Sequence, residues 1–342
     1  MEDMTSSFAA MCLSGPSKSV LDDKDEYQRT TEAQKDRKHR EMLINRHIIS
    51  ADTPYDVAML LYGSANAYIT PLLRRRRWVA IDDSDYVRLL PSIVLASHFF
   101  ESRRAMVFWH ALFEHGGLTD PQTGQVTFGR MGTDKYTELS PADHEKTKAR
   151  LHSLENIILE CEHELQTGCV CFGETISETV KGKDRFHPGR ATLRLNRKYL
   201  DEIDFAVGAK HDVLRRVFII AATIVHELAH AICTATRSPV SEMAWEDDGF
   251  VEMGWALEKW LFGGQPMILN KTLQAPGFDY CVATETLELV TLGMGKDDDA
   301  SEGVNAGRAP VQTTSGKTLH RLEVIDEAWL DDIFDAFLYR GG

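Results

Sequence analysis

Residues 213–233 are the most apolar segment of the chain, and His226, Glu227 and His230 are set inside it. The run meets no turn signal before Ser238-Pro239, which predicts one long buried helix. Ile224, Val225, Leu228, Ala229, Ala231 and Ile232 around the three polar residues are all uncharged. A carboxylate buried in such a run is costly without a partner. Residues four apart on a helix differ by roughly 40° in direction and about 6 Å along the axis. His226 and His230 therefore project from one face and are placed to share one ion. Zinc favours such nitrogen ligands, and its catalytic sites combine three protein ligands with one open position. Glu227, next to the first histidine, is placed to take a proton from water at that position. The expectation is one Zn2+ per chain, with His226 and His230 as ligands and Glu227 as general base.

Thr223 to Ile232 resembles the zinc signature of the zincin metallopeptidases at each position of that ten-residue pattern, and the likeness extends loosely over about 213–264. The predicted order of helix, strand, loop, strand and active-site helix over 140–236 is also similar to a zincin catalytic core. The resemblance implies hydrolysis of a peptide or protein substrate. It further implies that Ala191–Leu195 is an edge strand against which the substrate lies extended. No histidine occurs between His230 and His320, so the short spacing of metzincins is absent. The acids that follow the motif are Glu242, Glu246, Asp247, Asp248 and Glu252. Glu252, 22 positions after His230 and flanked by apolar Val251, Met253, Gly254 and Trp255, is the gluzincin-like choice of third ligand. Asp248 is the second choice, and an aspartate before a glycine at this point also resembles SprT-like proteases. Asp247 and Asp248 equally suit the N-cap of the next helix.

The sequence departs from the gluzincin pattern at Ala256, where an aspartate would orient the first histidine. That task then passes to Glu246, Asp247 or Glu258. Tyr199, Tyr280, His187 and His320 are the candidate donors to an oxyanion. The combination of His-Glu-Leu-Ala-His, Glu-Met-Gly-Trp and Phe-Gly-Gly looks like fungal zincin-like proteins, which implies no substrate.

The expected fold class is α+β, predominantly helical, with a small mixed sheet. Residues 1–40 read as a polar arm, 41–117 as helical, 118–139 as a connection with a strand at Val126–Phe128, and 140–342 as the catalytic region. In the second of these, Leu60, Leu61, Ala67 and Ile69 mark one amphipathic stretch. Val94, Leu95, Phe99, Val107, Phe108 and Leu112 mark another, closed by Gly116-Gly117. Ser140 and Pro141 open a helix predicted to run to Gly168 on an inner face of Leu151, Leu154, Ile158, Cys161 and Leu165. Strands are expected at Cys169–Phe172 and Ala191–Leu195, with a polar loop at 177–190 between them. A helix follows Asp247-Asp248-Gly249 and ends at Gly263-Gly264. A loop or lid is expected over 294–316, and a short amphipathic helix over 326–338.

The net charge of −14 disfavours nucleic acid as the main partner. The basic clusters at 37–40 and 74–77 read as solvated faces. Six scattered cysteines without a Cys-x-x-Cys pair predict free thiols in a reducing compartment. The start of the chain has no signal-like pattern, and Glu101, Arg103 and Arg104 interrupt the apolar stretch 91–113, so no membrane span is expected. The chain reads as intracellular, cytoplasmic before nuclear. Two alternatives stand beside the hydrolase: a zinc-binding regulatory protein of zincin fold with lost or narrowed activity, and an SprT-like protease acting on chromatin-associated proteins.

Overall fold

The computed structural model describes residues 67–114, 118–119, 126–128, 139–162, 165, 172–178, 189–201, 210–236, 244–245, 252–262, 264–270, 285–293, 318–324 and 330–331. Two 3-10 turns, Pro71–Leu73 and Arg75–Arg77, lead into α1 (Asp83–Phe100) and α2 (Arg103–Glu114). Short strands β1 (Leu118–Thr119) and β2 (Val126–Phe128) precede α3 (Pro141–His152), β3 (Ile157–Glu162), β4 (Gly173–Glu178) and β5 (Arg190–Asn196). After α4 (Arg197–Asp201) comes the 27-residue α5 (Lys210–Thr236), then β6 (Ala244–Trp245) and α6 (Met253–Phe262). Strands β7 (Gln265–Asn270), β8 (Glu285–Gly293) and β9 (Thr318–Val324) follow. The class is α+β, mostly helical with a small mixed sheet, as expected.

The expected apolar run is α5. Among the described residues it is the one helix long and apolar enough, by length and composition, to cross a membrane. Most of it is buried inside the protein, as in a core helix. Phe218 of α5, Phe99 of α1 and Phe262 of α6 pack together with centroids 5.0–5.6 Å apart, Phe99 edge-on to the other two, which locks the three helices together. Trp260 of α6 donates to the carbonyl of Arg104 and extends the contact to α2.

Three local expectations are corrected. Ala67 and Ile69 belong to no helix, and the stretch 94–112 is two helices rather than one. The break follows from Ser102, whose hydroxyl accepts the Ala105 N–H as a cap, and from Glu101, drawn into a polar cluster. The helix opened by Ser140 is capped as expected, but it stops at His152 instead of Gly168. Residues 157–162 form β3, whose buried residues alternate, because Ile157, Leu159 and Cys161 also satisfy a period of two. Parallel pairing with β5 decides between the periods. The strand expected at 169–172 lies, but for Phe172, outside the described residues; β4 follows it at Gly173–Glu178, and β5 matches its expected position.

In the mixed sheet β5 is central, parallel to β3 and antiparallel to β4. The implied edge position of 191–195 is therefore wrong; β4 is the edge on that side among the described strands. The register places Gly173, Thr175 and Ser177 of β4 in line with Leu195, Leu193 and Ala191 on the face toward α5. The opposite face carries Glu160, Arg194 and Glu174 in register, with Arg194 Nε 2.9 Å from Glu160. The antiparallel sheet β7-β8-β9 was not anticipated, since its central strand lies between segments rich in turn residues. Residues 1–66, the expected loop 294–316 and most of the expected helix 326–338 lie outside the described residues.

Arg75 donates to the carbonyls of Trp78 and Ile81, and Arg77 to those of Leu154 and Glu155. These guanidiniums pin the 3-10 turns in place, which is a role inside the fold. Cys161 is a buried free thiol, raised to about 12 chiefly by burial.

Glu101 accepts from Tyr68 at 2.9 Å and lies 2.7 Å from His152 Nε2 and 3.0 Å from Lys148 Nζ. Burial would raise its pKa, but the polar side chains of Thr70, His152, Lys148 and Tyr68 around it outweigh that effect and lower the carboxyl below its ordinary value. A depressed folded-state pKa means stability that is present above the ordinary carboxyl range and lost as pH falls through the folded value. Glu101→Gln should therefore cost about 2 kcal/mol at neutral pH. In urea melts the gap to wild type should close toward pH 3.

Candidate metal centre

Helix α5 presents His226 and His230 one turn apart, with their Nε2 atoms 3.4 Å from each other. Glu252 brings Oε1 to 3.4 Å from His226 Nε2 and 2.5 Å from His230 Nε2. For zinc–nitrogen bonds of about 2.0–2.1 Å, neighbouring ligands on a tetrahedron lie about 3.3–3.4 Å apart. Two of the three separations match that edge and the third is a hydrogen-bond length, so the three donors fit one small cation with little adjustment. All three side chains are part-buried, which leaves the cluster reachable from solvent.

Glu252 reaches this position in a way its sequence neighbours do not reveal. It is not on the face of the helix but immediately before it, as its cap. Its Oε2 accepts the N–H of Trp255, and its carbonyl accepts that of Ala256 at 3.1 Å. One carboxylate oxygen thus satisfies the N-terminus of α6 while the other faces the histidines. Asp247 and Asp248, read as the cap and as the reserve ligand, lie outside the described residues, as does Glu246.

The orienting carboxylate missing at Ala256 comes from further along α6. Glu258 Oε1 lies 3.4 Å from His226 Nδ1, which directs the opposite ring nitrogen toward Glu252 and His230. Burial pushes the Glu258 carboxyl up, against the pull of His226. Its Oε2 is buried with no hydrogen-bond partner among the described residues. For His226 itself, burial would lower the pKa, but Glu258 and Glu252 outweigh it and raise it well above the ordinary range. Burial would likewise raise Glu252, yet hydrogen bonds and charge from the two histidines hold it well below the usual carboxylate range. Two acids around one part-buried imidazole make an environment that stabilises positive charge. Glu258→Gln should leave the fold intact and weaken zinc affinity about 10- to 100-fold, as read by competition with a chelator.

Two glycines let the elements close on the site. A Cβ on Gly254 would lie 2.4–2.5 Å from the His226 ring, so the imidazole rests directly on the first turn of α6. A Cβ on Gly173 would lie 2.9 Å from Thr223 and 3.0 Å from Glu227, so β4 touches α5 at the glutamate. Glu227 is buried, and Thr175 of β4 bonds its carboxylate at 2.8 Å. Gly254, Gly173 and Thr175 carry no signal in the sequence, because each acts through a neighbour distant in the chain.

Of the proposed oxyanion donors, Tyr199 stacks on Phe172 with centroids 3.8 Å apart and borders a small apolar cavity with Thr223 and Ile220. His320 lies in β9, and His187 and Tyr280 lie outside the described residues. No protein-family model, no curated protein and no solved structure matches the chain.

Proposed function

We propose that the chain is a zinc-dependent peptide hydrolase, with His226, His230 and Glu252 holding the ion and Glu227 serving as general base. The observation that carries this reading is the convergence of the two Nε2 atoms and Glu252 Oε1 beside a buried carboxylate on the same helix. When bound, zinc lowers the pKa of a coordinated water and polarises a carbonyl. Glu227 accepts the proton of the attacking water and returns it to the leaving amine. Glu258 keeps the His226 ring turned toward the other ligands. An extended peptide would lie along β4, the edge strand nearest Glu227, where main-chain hydrogen bonds recognise backbone without regard to sequence. The zincin-like core is part of this proposal, supported by helix α5, the mixed sheet and the edge strand β4.

The alternative of an inactive zinc-binding protein drew its support from the missing aspartate, and Glu258 now fills that place. Two histidines and a carboxylate are also the ligands of non-haem iron sites; the buried base at 227 favours hydrolysis. The test is metal analysis of the purified chain together with cleavage of a broad peptide library. About one zinc per chain and metal-dependent cleavage are expected. Iron in place of zinc, or a fully stable protein that binds neither, overturns the reading.

A further inference from the structure

Thr175 approaches Glu227 from the edge strand, with its hydroxyl 2.8 Å from the carboxylate Oε2 and 2.9 Å from the Glu227 carbonyl oxygen. A hydroxyl has one proton to donate, so the two acceptors compete for it. The carbonyl lies mid-helix, where the N–H four residues on supplies its hydrogen bond. The carboxylate, once ionised, forms the stronger charge-assisted bond. The proton therefore goes to Oε2. Thr175 is itself held firmly: β4 pairs with β5 at Thr175 and Leu193, and the missing side chain at Gly173 brings the strand against Glu227.

We propose that Thr175 is a positioning residue for the base. It fixes the Glu227 carboxylate through Oε2 and leaves Oε1 as the oxygen that exchanges protons with water. The proposal rests on the hydrolase reading, and it adds a link between the strand that would bind substrate and the carboxylate that would act on it.

The test compares full-length T175V and T175S with wild type, all zinc-loaded, by zinc content, crystal structure and peptide-library kinetics. Valine has the shape of threonine without the hydroxyl, and serine keeps the hydroxyl without the methyl. The expected result is unchanged zinc content in both. In T175V the Glu227 carboxylate leaves its wild-type rotamer and kcat falls roughly 100-fold with KM unchanged, the scale of a 1 Å misplacement. T175S should keep the rotamer and most of the rate. A wild-type rotamer and rate in T175V overturn the proposal, as does a T175S variant as impaired as T175V, which would assign the effect to methyl packing. If wild type binds zinc but cleaves nothing, the hydrolase reading fails, and the rotamer comparison alone decides the role of Thr175.

Discussion

Glu227→Gln is expected to retain about one zinc per chain and to lose 10²- to 10⁴-fold in hydrolysis, the usual contribution of a general base. Metal is retained because Glu227 is not among the three converging donors. The fold is retained because glutamine keeps the length of the side chain and an amide oxygen to accept the Thr175 hydroxyl. The amide cannot take a proton from water at neutral pH, so the rate falls. Zinc analysis, a thermal melt and library cleavage on the same preparation separate these three statements. Wild-type turnover in this variant would remove Glu227 from the mechanism and leave a metal site without its base.

Gly254→Ala is expected to disrupt the centre from outside the ligand set. Glycine inside a helix normally costs about 1 kcal/mol relative to alanine, so on propensity alone the change should stabilise α6. Here the added Cβ would sit 2.4–2.5 Å from three atoms of the His226 ring, against about 3.5–4.0 Å for carbon atoms in contact. The ring has no easy retreat, since Nδ1 faces Glu258 and Nε2 faces Glu252. Either His226 swings out of the cluster or α6 backs away from α5, and Glu252 moves with α6. Overpacking of this kind costs about 1–3 kcal/mol. We expect a net loss of stability and zinc affinity reduced at least as far as in Glu258→Gln. A more stable Gly254→Ala protein with wild-type zinc affinity would contradict the packing of α5 on α6.

The parts of the site that lie on one element were legible before any tertiary information. His226 and His230 share a face because of helical spacing alone, and the apolar neighbours of the motif set its burial. Ser140 and Pro141 marked the start of α3, and alternation marked β5. Glu252 followed from the resemblance to the gluzincin pattern, whereas its role as a cap did not. Glu258 was one of three candidates until the helix brought it to Nδ1 of His226. The strand β4, with the sequence Gly-Glu-Thr-Ile-Ser-Glu, shows no clear apolar alternation, since glycine and threonine occupy positions toward α5 that strands usually fill with larger apolar residues. Its polarity hid both the strand and Thr175.

Residues 157–162 show the limit most directly. Their apolar positions fit a period near 3.6 and a period of 2 at once, and the chain alone contains no term that separates them. Pairing with β5, more than 30 residues away in sequence, supplies it. What the sequence determined by itself was the chemistry of one helix: two imidazoles on one face, a carboxylate beside them, and enough apolar surface to bury the three. Backbone geometry dictates that much within a single turn. Which acid meets the two histidines, which one turns His226, which strand lies at the edge among the described strands and which hydroxyl contacts Glu227 were decided by tertiary packing. Those choices depend on non-local contacts across α5, α6 and β4, and on glycines whose value is the space they leave for a partner.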